Sequence, residues 1–419
     1  MSTAIYRTSS ANAYDNSIRN INTRFTDLSA LQENLTSGKR ILRASDDPTS
    51  AAMAERALTR LSRIATDQRA LASQTNAIAV AESTLGKVTT AMQRFRDLVV
   101  SAGNGIVNSG ERKTIAGELQ GLRDQIFALA NTEDSNGLPL FNALGSALKP
   151  FVGPTVQPQD YNFKGLPGQS AASDVAIPFA LDGDAAFMLS PAQDGVFNVS
   201  NSNAASTLQA SGVTVTDTAQ VTGSTYQISN LMVAAGASPG QSKLTYDLVE
   251  TLADGTRVPA TGVTPTTGAD YPTSATRIPI SVGGLSLTLT GSPSASDRFT
   301  IEPKASVFSV MDDAIRGIGG ATTNNSVTQA VGQALHNIDI SLANISAVRG
   351  QAGELLNRAD RISDLQKNRS VQVEADRARA EDLDMIQGLA DFNKQENGYS
   401  VALQTYAKVQ QLSLFDYIR

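Results

Sequence analysis

The chain has 419 residues, no cysteine, no tryptophan, a single histidine (His336) and a formal net charge of −6. Those absences exclude disulfides, thiolate metal sites and cysteine nucleophiles, and one histidine leaves neither a histidine triad nor a multi-histidine metal cluster. Mild acidity makes no electrostatic case for nucleic acid, which needs a clustered basic surface.

Hydrophobic residues make up 41% but aromatic residues only 5%. That balance is lean for a compact enzyme and ordinary for helical rods joined to a Ser/Thr-rich sheet domain. Met1 to Tyr14 is polar and lacks an apolar h-region, so no cleavable signal peptide is expected. No apolar run reaches the ~18 residues of a membrane span. The expectation is a chain that stays in the cytoplasm or leaves by a route needing neither device.

The first helix is expected from about Asp15 to Ser37, with Ile18, Ile21, Phe25, Leu28, Leu31 and Leu35 spaced three and four apart as one apolar stripe. Gly38 suits a left-handed C-terminal turn. Lys39 to Ser45 reads as an extended crossing, and Asp46-Asp47-Pro48 restarts the helix with Asp47 as N-cap and Pro48 at the first helical position.

The second helix carries Ile64, Leu71, Ile78, Leu85, Met92 and Val99 at strict sevens, with Ala81, Val88, Phe95 and Ala102 on the offset line. A heptad sustained this long predicts coiled-coil packing. About 50 helical residues span roughly 75 Å, a rod rather than a globule. The loop from Gly103 to Gly110 ends it, and a third helix buries Ile115, Leu119, Leu122, Ile126 and Leu129.

From about Pro150 the period becomes two. Ile278, Ile280 and Val282 meet Leu285, Leu287 and Leu289 across Gly283-Gly284, a two-residue hairpin signal. Leu244 to Leu248 leads towards a second hairpin at Asp254-Gly255, and Val196–Val199, Val213–Val215 and Tyr226–Ile228 are further short strands. Helical pattern returns near Val307. Ile338, Ile345, Ala352, Ala359, Gln366 and Val373 form one heptad line, and Leu335, Leu342, Arg349 and Leu356 a second. A final helix carries Leu389, Phe392, Tyr399, Leu403, Tyr406, Val409, Leu412 and Leu414, interrupted by Asn397-Gly398.

The expected fold is mainly α with an inserted all-β domain. Residues 1–45 and 381–419 are the terminal helices, 46–149 and 306–380 the two parts of a long-helix rod domain, and 150–305 the β domain facing outwards. The terminal stripes are too narrow to hold a core alone. Helices of this length are marginal until packed, so assembly with neighbours is expected to order and cover them.

Few residues invite chemistry. Asp182-Gly183-Asp184 and Asp194-Gly195 lack the six-ligand order of a calcium loop and read as turns. His336 reads as a hydrogen-bonded histidine in a helix. The charged run from Arg358 to Asp384 reads as a solvated face with i,i+4 pairs. A sharper reading makes Glu381-Asp382-Leu383-Asp384 the hinge between the long helix and the terminal one. No catalytic, cofactor or metal constellation stands out, so no enzyme and no cofactor are expected.

Leu35-Thr36-Ser37-Gly38-Lys39-Arg40-Ile41-Leu42-Arg43-Ala44-Ser45-Asp46-Asp47-Pro48, followed by Ala51-Ala52, resembles the N-terminal signature of the flagellin superfamily. Flagellins proper usually carry a Lys-Asp-Asp-Ala type here, and Ser-Asp-Asp-Pro is similar to the hook–filament junction family of hook-associated proteins. Gly291 to Pro303, with Asp297, Phe299 and Ile301, is similar to a strand motif of that group. Asn131 to Phe141 matches its post-helix turn loosely, and Tyr399 to Phe415 resembles its C-terminal ending. Two stretches depart from the family pattern: Ser2 to Arg7, and the polar Phe392-Asn393-Lys394.

The resemblance implies terminal helices paired as the inner coiled-coil layer of a tubular structure, with the long helices outside them. It implies unfolded export through the flagellar type III apparatus to an extracellular flagellum. The implied partners are further copies of the chain, hook-associated protein type 1 on the hook side, flagellin on the filament side, and an export chaperone on the C-terminal segment. Neither nucleic acid nor a membrane span is implied. A filament-forming flagellin is the neighbouring alternative, and an adhesin carried in 150–305 the alternative of another class.

Overall fold

The computed structural model describes residues 10–155, 160–203 and 206–417, without side chains at 10–14, 409 and 411–417. Three helices come first: α1 (Ser10–Ser37), α2 (Pro48–Ala102) and α3 (Ser109–Ala130). Two short strands and two short helices follow, β1 (Phe151–Val152), β2 (Asn162–Phe163), α4 (Gly183–Phe187) and α5 (Pro191–Asp194). Then come β3 (Phe197–Asn201), β4 (Gln209–Ala210), β5 (Thr214–Val215), β6 (Thr225–Ala235), β7 (Gln241–Thr251) and β8 (Arg257–Val258). β9 (Thr264–Thr267), β10 (Tyr271–Pro272), β11 (Arg277–Val282), β12 (Leu285–Thr290) and β13 (Arg298–Pro303) complete the strands. Helices α6 (Val307–Gly319), α7 (Asn324–Glu381) and α8 (Met385–Tyr417) close the chain.

The chain divides into two compact units, Met1–Arg69 with Ser363–Arg419, and Ala70–Ile362. In the larger unit the α2 heptad positions Ile78, Leu85, Met92 and Val99 are fully buried, as are Ala81, Val88, Phe95 and Ala102. They share one core with Ile338, Ile345, Ala352 and Ala359 of α7. Arg96 meets Asp339 at 2.7 Å and Arg349 meets Glu82 at 2.8 Å, so the two helices run antiparallel. The second α7 seam lies one residue before its expected place: Ala334, Ser341 and Val348 are buried where Leu335, Leu342 and Arg349 were expected, and Leu335, Leu342 and Leu356 pack against the core only half-buried. Arg349 explains the shift, because a guanidinium with no buried partner cannot occupy a seam and instead reaches out to a carboxylate.

Helix α3 is sharply capped. The Asn108 side chain accepts from Glu111 N–H while Glu111 accepts from Asn108 N–H, a reciprocal capping box. Its core face is Ala116, Leu119, Ile126 and Ala130. Phe308 of α6 is fully buried among four rings, 5.1 Å from Phe127 and Tyr161 and 5.8 Å from Phe151 and Phe187. Beside it Arg123 meets Asp312 at 2.9 Å, and Tyr161 Oη donates to the same carboxylate at 3.0 Å. Burial pushes the Asp312 carboxyl above its usual range, with Arg123 opposing.

Residues 150–196 were expected to open the β domain. Phe151, Tyr161, Ile177, Leu181, Phe187 and Val196 instead join the helical core, and the sheet core starts at Phe197. The two short helices were also not expected. Asp182 caps α4 by accepting from Asp184 N–H at 3.0 Å, and Gly195 ends α5 at φ 68°. Both Asp-Gly pairs are therefore turn and cap elements. Among the described residues, no three acidic or histidine groups come together to hold a metal, and no helix is long and apolar enough to cross a membrane.

Two antiparallel sheets enclose the second core. One runs β10-β7-β6-β13-β3 with β8 and β9 also on β7, and the other runs β11-β12-β4 with β5 on β12. Phe197, Val199, Ile228, Leu244, Phe299 and Ile301 of the first meet Ile278, Ile280, Leu285, Leu287 and Leu289 of the second. The β11–β12 hairpin turns as the sequence predicts, pairing Val282 with Leu285. Gly283 and Gly284 both have positive φ there, which the two-residue turn requires.

Side-chain amides cover carbonyls on the open edge of β3 and on either side of β4. Asn325, Gln329, Gln333 and Asn337 stand four apart on one face of α7. Asn325 donates to Ser206 O at 3.0 Å, Gln329 to Val199 O at 3.3 Å, Asn337 to Phe197 O at 3.0 Å, and Gln333 to Ser211 O. His336 Nε2 donates to Val213 O at 2.9 Å, a structural role that fixes the proton on that nitrogen. The helix takes the place of a neighbouring strand, and edge groups that invite intermolecular pairing are satisfied within the chain.

Candidate assembly surface

Helix α1 ends at Ser37, and Gly38 continues at φ 71°, a conformation costly for any side-chain-bearing residue. The next residues were expected to be extended. They are compact instead, because Asp46 Oδ2 accepts from Arg43 N–H at 2.9 Å and Leu42 N–H at 3.2 Å. Those bonds, that from Arg43 foremost, hold the Asp46 carboxyl below its ordinary range. Asp47 acts as the expected N-cap of α2. Its Oδ1 accepts from Thr49 N–H at 3.2 Å, Ser50 N–H at 3.1 Å and Thr49 Oγ1 at 2.7 Å. Hydrogen bonds from Ser50 and Thr49 depress its carboxyl strongly. Pro48 occupies the first helical position, and Ser45 Oγ lies 3.4 Å from Asp46 Oδ1.

This turn grips the α7–α8 junction. Leu383 N–H donates to Gly38 O at 2.9 Å, Arg40 N–H to Glu381 O at 2.7 Å and Arg40 Nη2 to Ala380 O at 2.9 Å. Lys39 pairs with Glu381, and Arg40 stands 3.6 Å from Asp47. The hinge reading of Glu381 to Asp384 therefore matches the observed break between α7 and α8. Asp384 starts the new helix by accepting from Ile386 N–H at 3.0 Å. The rest of the charged run pairs locally along α7, as in Lys367 with Asp364 at 3.2 Å. Nearby, Ala57, Ile64 and Val373 form a small separate core.

Helices α1 and α8 lie side by side and antiparallel. Phe25 and Tyr399 ring centroids are 5.9 Å apart, and Gln395 Nε2 donates to Asp27 at 3.2 Å. The stripe was expected to break at Asn397-Gly398, but α8 is continuous through it. Two glycines of α8 lie close under side chains of α1. A Cβ on Gly388 would lie 3.3 Å from Leu35 Cδ2, and one on Gly398 would lie 2.6 Å from Arg24 Nη1.

The pairing covers the apolar stripes only in part. Ile18, Ile21, Leu28, Leu31, Leu35, Phe392, Tyr399 and Tyr406 are half-buried. Phe25 remains 56% exposed, Leu389 54% and Leu403 42%. The side chains of Val409, Leu412, Leu414 and Phe415, and the departing segment Ser2 to Arg7, lie outside the described residues. The sequence reading missed Ile386, 85% exposed, and the exposed Val401. Their apolar character was visible, but neither falls on the expected stripe. It also missed the grip of Gly38 and Arg40 on residues 380–383, for which no local pattern exists.

Residues 8–145 match the family described as the bacterial flagellin N-terminal helical region. The chain's curated relatives include flagellar hook-associated protein 3 of Salmonella typhimurium, 34% identical over 147 residues, covering 35% of this chain and 46% of that protein. The protein of the same name from Escherichia coli is 34% identical over 140 residues, covering 33% and 44%. The chain spans a little under half the length of these relatives. Among solved structures, the fold is similar to hook-associated protein 3 from Legionella pneumophila, with a TM-score of 0.58, 24% identity, and coverage of 77% of this chain and 97% of that one.

Proposed function

We propose that this chain is a structural subunit of the bacterial flagellum, the adaptor between hook and filament. The observation that carries the reading is a pair of terminal helices whose apolar stripes stay partly open to water, on a chain whose residues 8–145 match the bacterial flagellin N-terminal helical region. Apolar surface left open along two helices is covered most directly by the same stripes on sister copies. In the assembled state the terminal helices, 1–45 and 381–419, form the inner coiled-coil layer of a tube. Residues 46–149 and 306–380 surround it, and the β domain within 150–305 faces outwards.

The chain travels unfolded through the flagellar type III apparatus, its C-terminal stripe shielded beforehand by an export chaperone. It then meets hook-associated protein type 1 on one side and flagellin on the other. The work is mechanical, and no reaction or cofactor enters it. Deletion of the gene tests this reading. Intact hooks, no filaments and unassembled flagellin in the medium are the expected result, and full filaments on the deletion strain would overturn it.

A further inference from the structure

The chain contains three Asn-Gly pairs, Asn104-Gly105, Asn136-Gly137 and Asn397-Gly398. An asparagine followed by glycine can cyclise when the glycine nitrogen reaches the side-chain carbonyl, and the fold treats the three pairs differently. Gly398 lies inside α8, where its N–H belongs to the helical ladder and the backbone holds the nitrogen away from the preceding side chain. Gly137 N–H donates to Asp134 O at 3.1 Å, so that nucleophile is engaged. The Asn136 amide nitrogen is tied to Asp134 Oδ2 at 3.3 Å, which restrains the group that must leave.

Asn104-Gly105 is arranged in the opposite sense. Both residues are exposed in the loop between α2 and α3. Gly105 N–H donates to no backbone carbonyl among the described residues. Ile106 N–H donates to Asn104 Oδ1 at 3.3 Å, the atom on which negative charge gathers as nitrogen adds to the amide carbon. Among the described residues neither the Gly105 nitrogen nor the Asn104 side-chain nitrogen has a hydrogen-bond partner, and the developing oxyanion already has a donor.

We propose that Asn104 is a site of spontaneous backbone-assisted modification, converted through a cyclic imide to aspartate and isoaspartate. Gly105 N bonds to Asn104 Cγ and gives up its proton to solvent. The Cγ–Nδ2 bond breaks, and Nδ2 leaves as ammonia after taking a proton. Water then adds to one of the two imide carbonyls and opens the ring, leaving a carboxylate at position 104. Each event adds one negative charge just before the N-terminus of α3, where the helix dipole favours it. The isoaspartyl product also lengthens the main chain between the two helices by one carbon.

The purified full-length chain, incubated at mildly alkaline pH, tests this by peptide mass spectrometry and by labelling with an isoaspartyl methyltransferase. In the native chain, a one-dalton mass gain accumulates at Asn104 an order of magnitude faster than at Asn136 or Asn397. In denaturant the three rates converge. Gly105→Ala, whose Cβ would meet nothing within 4 Å, suppresses the reaction at Asn104 with the circular dichroism spectrum unchanged. Equal native rates at the three pairs overturn the proposal, as does a native rate at Asn136 or Asn397 exceeding that at Asn104. If the alanine variant misfolds, the native-to-denatured rate ratios of the unsubstituted chain decide the matter alone.

Discussion

Leu403→Asp separates folding of the chain from its assembly. Leu403 is 42% exposed in the isolated chain, so somewhat over half of its side chain is covered. Burying a whole leucine is worth about 1.5–3 kcal/mol, so the substitution costs the lone chain ~1–1.5 kcal/mol. In an assembled stripe the uncovered part is lost as well, and an unpaired carboxylate held there costs several kcal/mol more. That cost recurs at every equivalent contact between copies. The purified variant should therefore keep its helical circular dichroism and nearly its full thermal midpoint, while failing to restore filaments in a deletion strain. Leu28→Asp, on the half-buried α1 stripe, should behave alike. A variant chain that loses most of its helix, or one that assembles normally, refutes the reasoning.

Phe308→Ala should destabilise the helical core by about 3–5 kcal/mol, read as a drop in the urea midpoint, since the ring is fully buried among four others. Gly212→Ala places a Cβ 2.5 Å from His336 Cγ and should expel the ring. The expected loss of ~1–3 kcal/mol would be accompanied by a changed His336 ring resonance as the bond to Val213 breaks. Asp47 has a folded-state pKa held below its unfolded value, so its stabilising bonds are complete above the ordinary carboxylate range of about 4 and fade as pH falls through the lower folded value. The protection of the Thr49 and Ser50 amides, their exchange measured against the intrinsic rate at each pH, should be unchanged from neutral to mildly acid pH and fall only in strong acid. Asp47→Ala should show that loss of protection already at neutral pH, because the cap is gone.

Much of the fold is legible in local pattern. The heptads of α2 and the first line of α7 are buried where the spacing of seven places them, because a helix keeps its seam facing one partner only at that period. The β11–β12 hairpin turns at the two glycines, because positive φ at both positions leaves few other residues able to sit there. Failures occur where a long-range partner decides. Arg349 lies on an apparent heptad line yet points to Glu82, and Phe151, Tyr161 and Phe187 follow a strand-like start but complete the helical core. The Asn397-Gly398 pair reads as a helix break. The helix nevertheless runs on through it, with the Arg24 side chain lying close over Gly398.

Of the candidate surface, the residues were legible and the arrangement was not. Apolar spacing alone determined that both ends of the chain carry stripes needing cover, since each side chain's direction on a helix follows from its number. Composition alone determined that no cysteine chemistry and no multi-histidine site could arise. Tertiary structure alone decided that Gly38 and Arg40 grip residues 380–383, that α1 and α8 close on each other at Gly388 and Gly398, and how much of each stripe is left wet. Those contacts join residues more than three hundred positions apart. No local propensity encodes such a meeting, because its free energy exists only once the chain between them has folded.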